Sequence, residues 1–574
     1  MLLLALALTA TAQNPAGIPP KREVRAVWLT TTMGLDWPHT TDRDEQQSSL
    51  RDIVRTLKQA NFNTIFFQAR ARGDAYYRSS LEPWAENLTG TLGKDPGWDP
   101  LAFLCAEAHA AGLEVHAWIN VFKIRSAGPV PATVPPHPSR SHPEWTIAYG
   151  GEGWLDPGFP EARSYLVSVV LDIARKYDVD GVNFDYCRYP GRDFPDGESY
   201  RRYGGGATRE TWRKANIDRW VGECYERLTN LRPSLKVGAA PLGVFAPAGD
   251  STPAVINVYA QDAPAWLKAG IIDYIAPQLY WDIGSTDGDP DFAALIQNWQ
   301  AHAHGRHVYA GIGAYKPDVL RQIPAQIDTA RRARAAGEAF FRFSSIRGLS
   351  TMGDRYASPA AIPPMPWKDS QAPPAPLTIG VSEIATNVFQ LEWVPPATAP
   401  DGERPHHYML YRWPSRQIPF DDPRSLAAIT PRNETVFWDT VDAPAGPTYY
   451  YAVSAVDRGN NESPPSPVSG ATLIEFLALK GKLSDATALS ASLSTRGGAP
   501  RIIAYSLARK TSVDLSLVSQ APGGRDSLIA PLVSGMQEGG TYVVGVRDLR
   551  LAPGRYLVRL RTLETTLEQP IEME

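Results

Sequence analysis

A chain of 574 residues is too long for one ordinary domain and long enough for a large core with appendages. Charged residues make up 21% and the formal net charge is -4, which excludes a broad basic field for nucleic acid or anionic lipid. Aromatic residues make up 10%, including 16 tryptophans, a supply that suits sugar stacking as well as core packing.

The opening "MLLLALALTATAQ" is an apolar run closed by Ala10-Thr11-Ala12, an A-x-A pattern that predicts a secretory signal over residues 1–12. The run is too short to span a bilayer, and no other stretch reaches spanning length, so an exported protein without a transmembrane anchor is expected, periplasmic or at the cell surface. From 22 to 350, short apolar runs alternate with helical stretches. Eight strands are expected: 23–31, 63–70, 113–120, 181–186, 236–243, 274–281, 307–315 and 338–346. Between the first two, Leu50, Ile53, Val54 and Leu57 recur at helical spacing. Between the next two, Asp99 stands as an N-cap before Pro100, and Gly112 ends the helix. Eight strand–helix repeats, with no Gly-rich dinucleotide fingerprint after the first strand, predict an α/β (β/α)8 barrel. Long loops at 121–160 and 187–210 are expected to shape a cleft on one rim.

Residues 351–372 read as a proline-rich linker. Past it, short strands punctuated by turns predict two all-β sandwiches, 373–472 and 475–574. The first resembles a fibronectin type III module through Trp393, "YMLYR" and "YYYAVSAVD"; the last resembles an Ig-like module more loosely.

Chemistry in such a barrel sits at the C-terminal strand ends. Side-chain alternation puts Asn183 with Asp185, Gln68 with Arg70, and Glu114 with His116, Trp118 and Asn120. On the sixth strand it puts Gln278 with Tyr280 and Asp282. Polar groups therefore collect near the tips of strands that otherwise read as buried, and a buried polar group needs a partner or a purpose. A structural carboxylate paired with arginine is the alternative for Asp185, and a satisfied core residue the alternative for His116. Glu114, nearer the barrel floor, reads as structural. The three cysteines have no metal-ligand spacing, and Cys187 has no His/Asn partner to make it a nucleophile. The "AHAHGRH" stretch at 301–307 lacks a carboxylate cluster and reads as surface.

"REVRAVWLTTTMGLDWP", "FFQARARGDAYY", "GLEVHAWINVF", "YDVDGVNFDYCRYP" and "DYIAPQLYW" together resemble the bacterial glycosyl-hydrolase-like family 10 proteins, over roughly residues 22–350. The resemblance implies an exported (β/α)8 glycoside hydrolase with cell-wall glycan as the leading substrate class. It marks Arg70, Asp74, His116, Trp118, Asn120, Asp185, Tyr189, Gln278, Tyr280 and Trp281 as cleft residues. Many relatives carry an acidic pair where this chain has Asp185-Tyr186, and an aromatic where it has Arg188.

Glycosidic cleavage needs a proton for the leaving oxygen and a carboxylate facing the oxocarbenium-like centre. Asp185 is the expected nucleophile or stabilising carboxylate, kept ionised by Arg188 or Arg70. Asp282 is the expected second acid, with Asp74 and Asp262 as rivals. Trp37, Trp118, Tyr189 and Trp281 offer flat faces for sugar rings. No organic cofactor or metal is expected; the expected partner is a polysaccharide, with the sandwiches holding the barrel near it. A binding protein that has lost turnover is the alternative, and a metal hydrolase would need a His/Asp cluster at the strand ends.

Overall fold

Eight parallel strands close into a barrel in which each strand lies beside its neighbours in sequence and the last returns to the first. They are β1 (Val24–Leu29), β2 (Thr64–Arg70), β3 (Glu114–Asn120), β4 (Gly181–Asp185), β5 (Lys236–Ala239), β6 (Tyr274–Ile275), β7 (His307–Ile312) and β8 (Gly337–Phe340). The computed structural model describes residues 19–125, 129–245, 255–285, 289–348, 352, 354–377, 379–385, 388–441, 449–470, 487–492, 502–519, 527–537, 540–545 and 554–573. The leader expected at 1–12 and the boundary between the two sandwiches lie outside these residues.

The crossovers are helical. In α1 (Arg43–Gln59) the Asp42 side chain accepts from the Glu45 N–H, and Leu50, Ile53, Val54 and Leu57 are buried against the barrel. In α2 (Pro100–Ala110) Asp99 caps the Ala102 N–H and Pro100 opens the first turn, where a missing N–H costs nothing. Gly112, at φ 74°, releases the chain into β3.

Strands five to eight all end earlier than expected. Pro241 and Pro277 carry no N–H, so past Ala239 and Ile275 only single bridges form, Leu242 with Gln278 and Gln278 with Gly311. After Phe340 the chain turns into a short helix, Phe343–Ile346. The long loop after β3 folds into a three-stranded antiparallel sheet with Glu152–Leu155 at its centre.

The proline-rich segment is no free spacer, because its apolar side chains close the barrel floor. Tyr356 and Met365 are buried, and Met365 joins the interior cluster of Val24, Trp28, Phe66 and Tyr274. The Trp367 indole donates to Asp273 at 2.8 Å, and the Arg25 guanidinium donates to the Ser358 carbonyl at 2.7 Å. Beyond it, two antiparallel sheets pack through Phe389, Leu391, Trp393, Leu410, Tyr451 and Val453. This sandwich meets the barrel where the strands begin. Arg432 pairs with Asp178 at 2.7 Å and with Asp180; Arg22 pairs with Glu462 at 2.7 Å. A second pair of antiparallel sheets lies between 488 and 573 around Leu515, Val558 and Leu560. Among the described residues no helix is long and apolar enough to cross a membrane.

Candidate active site

The barrel interior sorts its polar side chains by height. Low in the barrel, His116 Nδ1 meets the Tyr274 hydroxyl at 2.7 Å and Nε2 meets Glu114 at 3.3 Å; Glu114 pairs with Lys236 at 2.7 Å. Burial raises the Glu114 carboxyl, but Lys236 and His116 outweigh it and hold the group below its usual range. Tyr274 can cross the barrel only because residue 238 is glycine: a Cβ there would lie 2.0 Å from the ring. Asn183 donates to the Tyr274 hydroxyl at 3.4 Å and accepts from the Trp28 indole at 3.3 Å. His116 is therefore a core histidine with both nitrogens engaged, and presents nothing to a substrate.

One step higher, Asp185 ends β4 half-buried. Its Oδ1 accepts from the Tyr186 N–H at 2.7 Å and from Gln278 Nε2 at 3.3 Å. The first bond helps hold Tyr186 at φ 49°, a left-handed conformation that a non-glycine residue rarely adopts. That turn swings the Tyr186 ring off the strand and edge-on to Trp154, centroids 5.9 Å apart. Burial pushes the Asp185 carboxyl up to about 6; the Tyr186 N–H, Arg188, the Trp118 indole and Lys123 only partly oppose it. Desolvation outweighs the nearby cations, so the carboxyl is a weaker acid than those cations alone would make it.

Arg70 does not contribute to that balance. It is fully buried and bidentate to Glu82 at 2.6 and 2.7 Å, and it donates to the Asn120 and Val121 carbonyls. With its donors so engaged it braces the tips of β2 and β3 rather than meeting a sugar. Asp74 is buried and accepts the Arg72 N–H at 2.9 Å, and Asn120 donates to the Ala71 carbonyl at 2.7 Å; both shape the same turn. Asp262 caps the helix Ala263–Ala269 and pairs with Lys214 at 3.1 Å, so it is spent as well. Tyr189 and Trp37 are sealed in the core. The Tyr189 hydroxyl accepts from Asn216 at 3.2 Å and the Trp37 indole donates to the Gln46 carbonyl at 3.1 Å, so neither offers a face to a sugar. Cys187 is buried and its thiol is pushed up by burial, which suits packing and not nucleophilic attack.

Gln278, Tyr280, Trp281 and Asp282 all remain half-buried at the tip region of β6. Tyr280 stacks on Phe341 at 5.6 Å, and Phe341 meets Trp118 edge-on at 6.2 Å and Tyr315 at 5.7 Å. Tyr315 is 48% exposed, so this row climbs from the barrel interior to solvent. Phe341 and Tyr315 escaped the sequence reading, although both fall within expected strands at the ends where chemistry gathers. Glu152 escaped it too, hidden in a loop. It pairs at 3.2 Å with Lys123, which bears on Asp185. Lys123 Nζ also stands 4.8 Å from the Tyr186 ring centre. Asp282 is not among the groups bearing most on Asp185; the charged ones are Arg188 and Lys123.

Among the described residues, the one converging set of three possible metal ligands is Asp369, Glu403 and Asp457. It belongs to the linker and sandwich, not the barrel mouth. Two cavities of about 20 and 50 Å³ lie in the seam between barrel floor and sandwich, lined by residues such as Glu114 and His406, with room for only a few waters each.

A family model described as glycosyl hydrolase-like 10 matches residues 23–327. The glycosyl hydrolase YngK of Bacillus subtilis (strain 168) is 32% identical over 490 residues, covering 78% of this chain and 92% of that protein. The glycosyl hydrolase DigH of Escherichia coli (strain K12) is 32% identical over 342 residues, covering 53% of this chain and 77% of that one. Among solved structures, the PgaB (BpsB) glycoside hydrolase domain from Bordetella bronchiseptica is 14% identical. It covers 59% of this chain and 98% of that domain at a TM-score of 0.43, and the barrel assignment rests on the strand order itself.

Proposed function

The chain belongs to the glycosyl hydrolase-like 10 family and is a glycoside hydrolase, and from that premise we propose that Asp185 delivers the proton in cleavage of a β-linked amino-sugar polymer. Peptidoglycan glycan strands are the leading substrate. The observation that carries the reading is the Asp185 carboxyl at a barrel-strand tip, raised by burial to about 6. A group of that acidity is protonated below about pH 6 and still about one-tenth protonated at pH 7, poised to hand over a proton as a general acid, whereas a nucleophile works in its ionised form.

Asp282 is the second carboxylate in this scheme, acting as base on water. In a retaining pair the carboxyls stand about 5–5.5 Å apart and one anion would raise the other. Burial is the largest influence raising Asp185, and the charges bearing most on it are cations, which favours the wider, inverting spacing of about 6.5–9.5 Å. The Tyr280–Phe341–Tyr315 row supplies the stacking surface for sugar rings. The apolar leader supports export, and the two sandwiches, read as fibronectin type III-like and Ig-like, support a role in holding the barrel at its polymer.

The test incubates the full chain and Asp185→Asn with purified glycan strands, with and without attached peptide. Soluble fragments from the wild type, and at least ~100-fold fewer from the variant, are expected. Equal release by both removes Asp185 from the reaction; polymer retained uncut by both turns the barrel into a binding protein.

A further inference from the structure

Three residues past Asp185, Arg188 stands half-buried among aromatic rings. Its Cζ lies 5.2 Å from the ring centre of Tyr186, 5.1 Å from that of Tyr259 and 5.8 Å from that of Trp154. Among the described residues its guanidinium makes one hydrogen bond, from Nη1 to the Tyr189 carbonyl at 3.3 Å. No carboxylate of those residues pairs with it. Its neighbours at the same rim differ: Lys123 pairs with Glu152 at 3.2 Å and Arg125 with Glu86 at 3.1 Å.

Withdrawing a guanidinium from water without a counter-ion is costly. Three ring faces repay part of that cost. They also shield the group from water and leave most of its donors unspent. Asp185 is not its ion-pair partner, and when Asp185 carries the proton needed for catalysis it offers no negative charge at all. The arrangement is a planar, positive fork waiting beside the reacting carboxyl.

We propose that Arg188 is a specificity-determining residue of this cleft, receiving a carboxylate carried by the sugar bound beside Asp185, so that the enzyme's substrate is an acidic glycan. The assignment rests on the hydrolase reading above. A carboxylate matches the fork bidentately, and the aromatic walls favour the pair over its solvated parts. The carboxylate has two possible sources, an ether-linked acid side chain or a uronic acid ring.

The test compares three glycans: peptide-free peptidoglycan strands with free carboxyls, the same strands with carboxyls reduced to alcohols, and hyaluronan as the uronate-bearing polymer. For the wild type, kcat/KM on the free-carboxyl strands or on hyaluronan should exceed that on the reduced strands ~10–100-fold, the worth of one charge-assisted pair. The polymer that shows the excess identifies the source. Arg188→Gln should bring the ratio near one, and Arg188→Lys should restore part of it. Equal rates for the wild type on acidic and reduced polymer, or an undiminished ratio in Arg188→Gln, overturn the assignment. Should no polymer be cut, binding to Asp185→Asn decides. Salt-sensitive preference for acidic strands, lost when Arg188→Gln is added, keeps the anion site while discarding hydrolysis; indifferent binding discards both.

Discussion

Replacing Asp185 by asparagine should make the protein more stable at neutral pH while disabling it. The carboxyl is raised from its ordinary 3.8 to about 6 because burial penalises its charge. Between those two values the folded state holds a proton that the unfolded chain has released. Stability therefore falls as pH rises through that window, and the full penalty is present above about pH 6. At about 1.4 kcal/mol per tenfold change in proton affinity, the gap corresponds to about 3 kcal/mol. The carboxyl is only half-buried, so solvent screening trims this to about 1–2 kcal/mol. Asparagine has the same shape, keeps an oxygen for the Tyr186 N–H and carries no charge to desolvate. Thermal or urea unfolding of both proteins at pH 7.5 and pH 4 gives the comparison, and other titrating groups cancel in the difference. At pH 7.5 the variant should melt about 2–4 °C higher; at pH 4 the gap should close. A variant less stable than wild type at pH 7.5, or a difference independent of pH, would refute the account of a burial-raised carboxyl.

Arg70→Met strands the Glu82 carboxylate in a dry site and should cost about 3–5 kcal/mol, read as a lower urea midpoint. Tyr274→Phe removes the partner of His116 Nδ1 and should cost about 1–3 kcal/mol while leaving KM for glycan unchanged, as a core role requires. Burial and nearby cations push His407 down to about 4 and His406 down to about 3, against an ordinary 6.5. The unfolded chain takes up these protons first, so the seam should weaken as pH drops from 6.5 towards 4, seen as faster proteolysis after residue 372. Arg432→Ala should speed the same cleavage at neutral pH, since it removes the ion pairs that tie the sandwich to both Asp178 and Asp180.

Alternation with a period of two carried the sequence reading furthest. It grouped Asn183 with Asp185 and Glu114 with His116, and the structure keeps these groupings because a barrel strand has only an inner and an outer face. Glu114 read as structural is paired to Lys236, and Asp99 read as a cap is one. What pattern cannot express is which partner arrives from elsewhere in the chain. Nothing near Arg70 in the strand announces Glu82, 12 residues on, and nothing near Tyr189 announces Asn216. Proline composition likewise marks 351–372 as an irregular linker but is silent on its packing, where the scattered Tyr356, Met365 and Trp367 find a floor to bury against. Phe341 and Tyr315 show the opposite failing: their positions were in view, but aromatic residues at strand ends look alike whether they pack or stack.

Arg432, Arg22 and Glu462 fasten the sandwich to the pole of the barrel opposite Asp185. The first sandwich therefore hangs from the back of the barrel. Anything that grips this sandwich from behind leaves the strand tips, and Asp185 with them, pointing the other way.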